Sequence, residues 1–311
     1  IIHPNTKENI MRTEILLNQQ WRFTDIGGGY MKKFLTLIAA ASMSLSLFAA
    51  DIFAYVPLAS NIKSYTKKEF AITSKFGNYF RSENGSIVRV LNNLGKEVEI
   101  SELDIKGNVI NKIVNNYDVY GNLTEQNCYD INSSLLWKNQ ISYKDGKKSE
   151  IREFDNQGKE KARTIYIYKL NEETKLPETD ESIYSADGAL LYKTIYKYNE
   201  NNILTSMKGY TPNGLLDSET TYAYKDDGKI DSITYFDSLK AETTQEVFRY
   251  DANNMISEVI TYNNNKEIIN RTLVKYDTNG NISKITSYDI LKKFDTTVNE
   301  LVEMSEYSYN Y

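Results

Sequence analysis

A chain of 311 residues with 41% apolar residues, 25% charged residues and four prolines has room for one or two ordered domains and is too apolar for disorder. It carries one histidine, His3, and one cysteine, Cys128. Beyond the first residues this excludes Ser-His-Asp and Cys-His nucleophiles, histidine bases, histidine-ligated zinc and an internal disulfide framework.

In chain order, residues 1–30 begin without methionine and end in Gly27-Gly28-Gly29-Tyr30, just ahead of Met31. Glycine codons all begin GG, so this stretch reads as a ribosome-binding site translated upstream of the true start. Residues 31–50 then read as a signal peptide. Lys32 and Lys33 form a basic start, Phe34 to Phe48 an apolar run, and Ala49-Ala50 a small-residue end. The apolar run falls short of the roughly 20 residues that span a bilayer. The expected destination is export, to the periplasm or the extracellular cell surface, with no integral membrane span after cleavage near Asp51. Removing five basic and three acidic residues with that segment leaves 32 against 39, a net charge of minus seven. The signs alternate along the chain, so no basic stripe awaits a phosphate backbone and nucleic acid is not an expected partner.

Residues 51–91 contain Phe53, Tyr55, Tyr65, Phe70, Phe76, Tyr79 and Phe80 outside any period, and read as an N-terminal cap on an open strand edge. From 92 to 311 the chain repeats. Segments 197–211, 223–237, 249–263 and 275–289 stack without gaps at 26-residue spacing, and 116–130 is a weaker copy. The anchor tyrosines are Tyr117, Tyr143, Tyr168, Tyr198, Tyr224, Tyr250 and Tyr276, expected to stack as a structural ladder. Turn chemistry follows the aromatics, with Gly121, Gly146, Gly188, Gly214, Gly228 and Gly280 at the left-handed corner. The oxygens of Asp277, Asn279 and Asn281 alternate as in a calcium loop, but the glycine falls fourth instead of sixth and no glutamate closes the loop. They read as turn residues.

Between turns run short Tyr-, Thr-, Ile- and Val-rich segments, which read as strands joined by hairpins. The predicted fold is all-β: an elongated antiparallel β-meander of about fourteen strands, two per 26-residue repeat, as a curled single sheet or open spiral.

The string Tyr117-Asp118-Val119-Tyr120-Gly121-Asn122-Leu123, repeated as Tyr276-Asp277-Thr278-Asn279-Gly280-Asn281-Ile282, resembles the YD repeats of the RHS family. That resemblance implies antiparallel β units winding into extended sheets or shells on an exported bacterial protein. The chain departs from the family in its longer unit, in having Asn122, Lys229 or Asn281 after the glycine where arginine is common, and in lacking a toxin or processing region.

No constellation of catalytic, cofactor-binding or metal-ligating residues emerges. The leading expectation is a non-enzymatic structural or adhesive protein of the bacterial envelope. Alternatives are a glycan- or peptide-binding module on the Tyr/Asn/Asp face, with a cell-surface glycan or envelope protein as partner, and an outer-membrane β-barrel, suggested by alternating strands and by the terminal Tyr307-Ser308-Tyr309-Asn310-Tyr311.

Overall fold

The computed structural model describes residues 52–59, 61–75, 78–293 and 296–311. The expected signal segment lies outside them. The described chain is a 3-10 turn, Ile52–Ala54, followed by eighteen strands. They are β1 (Ser64–Lys75), β2 (Asn78–Leu91), β3 (Glu97–Leu103), β4 (Val109–Tyr117), β5 (Leu123–Asp130) and β6 (Leu135–Lys144). Next come β7 (Lys147–Asp155), β8 (Glu160–Leu170), β9 (Pro177–Ser185), β10 (Leu190–Tyr198), β11 (Leu204–Tyr210) and β12 (Leu216–Tyr224). The last six are β13 (Ile230–Asp237), β14 (Glu242–Tyr250), β15 (Ile256–Tyr262), β16 (Ile268–Tyr276), β17 (Ile282–Lys293) and β18 (Thr296–Asn310).

Every strand pairs antiparallel with its sequence neighbours, and β1 also pairs with β18, from Ser64↔Asn310 to Phe70↔Met304. The wall therefore closes on itself. This corrects the expectation of a curled sheet or open spiral: the fold is an eighteen-stranded closed barrel, although its all-β meander of hairpins is as the repeats implied. Closure satisfies the backbone groups that the edge of an open sheet would leave bare. Within the segment expected to act as a cap, residues 64–75 and 78–91 are the wall strands β1 and β2, and residues 52–59 form a strap.

The hairpin turns explain the repeat. Asp277 is representative: its N–H donates to the Asn281 carbonyl, its carbonyl accepts from Gly280, and its Oδ1 accepts the N–H groups of Asn279 and Asn281, each at 2.9 Å. Those carboxylate oxygens serve the turn. Gly280 sits at φ +81°, a left-handed conformation that costs other residues the crowding of a Cβ. The other expected turn glycines, 121, 146, 188, 214 and 228, lie between +74° and +86°. After each such turn the register slips by one residue at the tyrosine, as between Lys275 and Tyr276. The slip is a β-bulge. It also accounts for apolar residues at steps of three, such as Ile282 and Ile285: the bulge moves the second onto the same face as the first.

The two faces of the wall differ. Ile233, Glu246, Phe248, Val259, Thr272 and Val274 share one face by register, and all are at most 7% exposed. Arg249, Glu258 and Arg271 share the other, where the Arg249 side chain is 57% exposed. A closed wall crowds side chains on its concave side and spreads them on its convex side, so the tyrosine- and isoleucine-rich face lines the lumen. The convex face is laced with cross-strand ion pairs: Lys112–Glu99, Lys193–Asp180, Lys208–Glu219, Arg249–Glu258 and Lys284–Glu306. Their alternation of sign, visible in the sequence, places opposite charges on adjacent strands.

Candidate functional site: the strapped rim

The turns that follow the even-numbered strands gather at one rim, and the tyrosines before them point to their neighbours. The hydroxyl of Tyr276 donates to the Ile256 carbonyl at 2.8 Å, Tyr250 to Ile230 at 2.6 Å, and Tyr224 to Leu204 at 2.9 Å. Tyr143 donates to Leu123 at 3.1 Å and Tyr117 to Glu97 at 2.8 Å. Tyr309 continues the series to Ile282 at 2.6 Å. The series consists of hydrogen bonds between adjacent strands, and one of its members, Tyr309, also tilts against Tyr65 at 5.9 Å. The physical reason lies in the register. Ile256 pairs with Tyr250 on one side, while toward β16 the ladder begins at Glu258↔Leu273, leaving the Ile256 carbonyl without a strand partner there. The phenol supplies it.

Two predicted members depart from the series. Tyr198 is buried in a patch with Tyr196 and Leu204. Tyr168 is 36% exposed, with the Lys147 ammonium 4.9 Å from its ring centre.

The strap crosses this rim on the lumenal side. Ile52 and Val56 pack into a core with Ile230, Ile233, Phe248 and Val259. Phe53 stacks 5.9 Å from Tyr65 and lies 5.0 Å from Tyr307, so it bridges the two strands that close the barrel. Tyr55 meets Phe248 edge-on at 5.4 Å. The N–H of Ala59 donates to Asn281 Oδ1, and Asn281 Nδ2 donates to the Tyr311 hydroxyl. One turn asparagine therefore holds the strap, its own turn and the last residue together. Sequence reasoning missed the strap. Its signal was the run Ile52-Phe53-Ala54-Tyr55-Val56-Pro57-Leu58, too uniformly apolar for a wall strand with one charged face.

Between the strap and the rim lies a cleft of about 490 Å3. Its floor is Leu204, Ile230 and Ile256, its sides are the rings of Tyr224 and Tyr250 with Met255, and Lys229, Asn254 and Asn279 stand at its mouth. The ammonium groups of Lys225 and Lys229 lie 4.4 and 5.6 Å from the Tyr250 ring centre. The Lys229 ammonium also pairs with Asp227 at 2.7 Å, and this side chain, with the Lys229 N–H, holds the Asp227 carboxyl below its ordinary range. Among the described residues no group of histidine, cysteine and carboxylate side chains is arranged to hold a metal ion.

No protein-family model matches the chain, and no curated protein matches it. Among solved structures it is similar to a porin-like protein from Bacteroides uniformis, at 10% identity over 82% of this chain and all of that one, with a TM-score of 0.44. A porin-like protein from Bacteroides vulgatus is similar at 13% identity over 80% of this chain and 98% of that one, with a TM-score of 0.36. At that level neither likeness carries an argument about function. The resemblance to YD repeats of the RHS family is not upheld: no family model recognises the repeats, and the wall closes where an RHS array would keep winding. The closed barrel is instead the architecture of the outer-membrane-barrel alternative, and it replaces the open structural array.

Proposed function

We propose that the chain is an exported, non-enzymatic β-barrel of the bacterial envelope. The observation that carries this reading is the β1–β18 pairing, which leaves no open edge along the seam. A signal-like run at 31–50 supports the address. The tyrosine hydroxyls at the rim are spent on neighbouring carbonyls, which supports a structural role for the ladder over glycan stacking.

Closure favours a seat in the outer membrane, since closed barrels are the β-structures that span lipid. The convex-face ion pairs favour the aqueous periplasm as a second seat. An arginine or lysine on a lipid-facing wall costs about 2 to 4 kcal/mol at the bilayer midplane, and Arg249, Arg271 and Lys284 all stand on that side. Among the described residues no helix is long and apolar enough to cross a membrane, which leaves a strand-built crossing open.

Fractionation of cells that make the native protein tests the reading. Recovery in the envelope supports it, and recovery in the cytoplasm of a chain retaining residues 31–50 overturns it. Release into the periplasmic fraction without detergent selects the aqueous seat; a requirement for detergent selects the membrane.

A further inference from the structure

We propose that the cleft beneath the strap binds one unbranched acyl chain, with the chain inward and its polar head at the mouth. The floor residues Leu204, Ile230 and Ile256 are at most 2% exposed, and no charged side chain lies among them. Tyr224 and Tyr250 line the cleft, and their hydroxyls donate to the Leu204 and Ile230 carbonyls. An apolar guest therefore strands no deep side-chain donor or acceptor, whereas a sugar would bury its own hydroxyls without partners. The shape favours a chain over a compact ring. The cleft follows the strap from Ala54 to Ala59 and touches strand ends from β11 to the β16–β17 turn. Met255, unbranched and flexible, lines one side and adapts to what enters. A volume of about 490 Å3 is that of an ordinary small-ligand site.

The head contributes little. Lys229 at the mouth is already neutralised by Asp227, so the chain sets the affinity and a carboxylate or an alcohol serves alike. This inference concerns the cleft and does not depend on which compartment holds the barrel.

Calorimetric titration of the purified protein with octanoate, decanoate, dodecanoate and dodecanol, below micelle-forming concentrations, tests it. The expected result is saturable binding of one molecule per chain, tightening about tenfold for each two methylenes added, with dodecanol within a few-fold of dodecanoate. Met255→Trp and Pro57→Trp, which fill the cleft from opposite sides, should each weaken binding at least tenfold at unchanged circular dichroism and melting temperature. Val119→Trp, on a distant exposed turn, should bind as the parent does. Absence of saturable binding, affinity independent of chain length, or cleft variants that bind like the parent would overturn the proposal. If Met255→Trp does not fold, Pro57→Trp alone gives the reading.

Discussion

The hydroxyl of Tyr276 reaches the carbonyl of Ile256, 2.8 Å away on the neighbouring strand, just beyond Glu258↔Leu273, where the pairing of the two strands ends. The same relation links Tyr250 with Ile230 and Tyr224 with Leu204. A tyrosine every 26 residues thus places one phenol at the end of every second strand, on the rim where the neighbouring strand offers it a carbonyl.

Tyr276→Phe separates the hydroxyl from the ring. It keeps the packing and loses the hydrogen bond, so denaturant unfolding should show a loss of about 1 kcal/mol. Tyr276→Ala removes the packing as well and should cost roughly 2 to 4 kcal/mol. Equal stability of the parent and Tyr276→Phe would remove the carbonyl-capping account of the repeat.

Gly280 and Gly209 test two different reasons for a glycine. At Gly280 a Cβ meets nothing closer than Met255 Cε at 4.0 Å, so Gly280→Ala costs only the left-handed backbone, about 1 kcal/mol. At Gly209, in mid-strand, a Cβ would run into the Tyr192 hydroxyl and lie 2.8 Å from Ser218 Oγ. That phenol donates to Asp217 at 2.8 Å. Gly209→Ala should therefore cost more, roughly 2 to 3 kcal/mol, from displaced packing and a broken hydrogen bond. Thermal melts of the two variants side by side give the order.

Acid should loosen the turns. The Asn108 side chain and N–H hold the Asp104 carboxyl below its ordinary range, and the Lys229 side chain does the same for Asp227. A carboxyl whose folded pKa is depressed stabilises the fold above its unfolded pKa, and that stabilisation is lost as pH falls through the folded one. Below about pH 4 the loss of these contributions should lower the melting temperature. Asp104→Asn should flatten part of that decline, and a decline unchanged in the variant would assign the acid sensitivity to other groups.

Phe53 links the strap to the seam. Phe53→Ala removes the ring that touches both Tyr65 on β1 and Tyr307 on β18. The expected loss is roughly 2 to 3 kcal/mol, less than for a fully buried phenylalanine. Hydrogen exchange should locate it: the amides of the β1–β18 pair should lose more protection than those of β6–β7, remote from the strap.

The local grammar of this chain is legible without coordinates. Asp at the first corner, Gly at the left-handed position and alternation between them dictate hairpins, because each depends on atoms within five residues. The charge alternation likewise foretells the cross-strand ion pairs, since neighbours in a meander are neighbours in sequence. The spacing of the tyrosines locates the phenols, while the carbonyl each one meets on the neighbouring strand appears only in the register. Closure and the strap belong to the tertiary structure alone. Whether the last strand meets the first depends on twist and tilt accumulated over eighteen strands, and no window of sequence contains both Tyr65 and Tyr309, which pair at the seam. The strap and its cleft depend on closure in turn, because Ile52, Phe53 and Val56 have a concave surface to bury against only once the wall has curved around them.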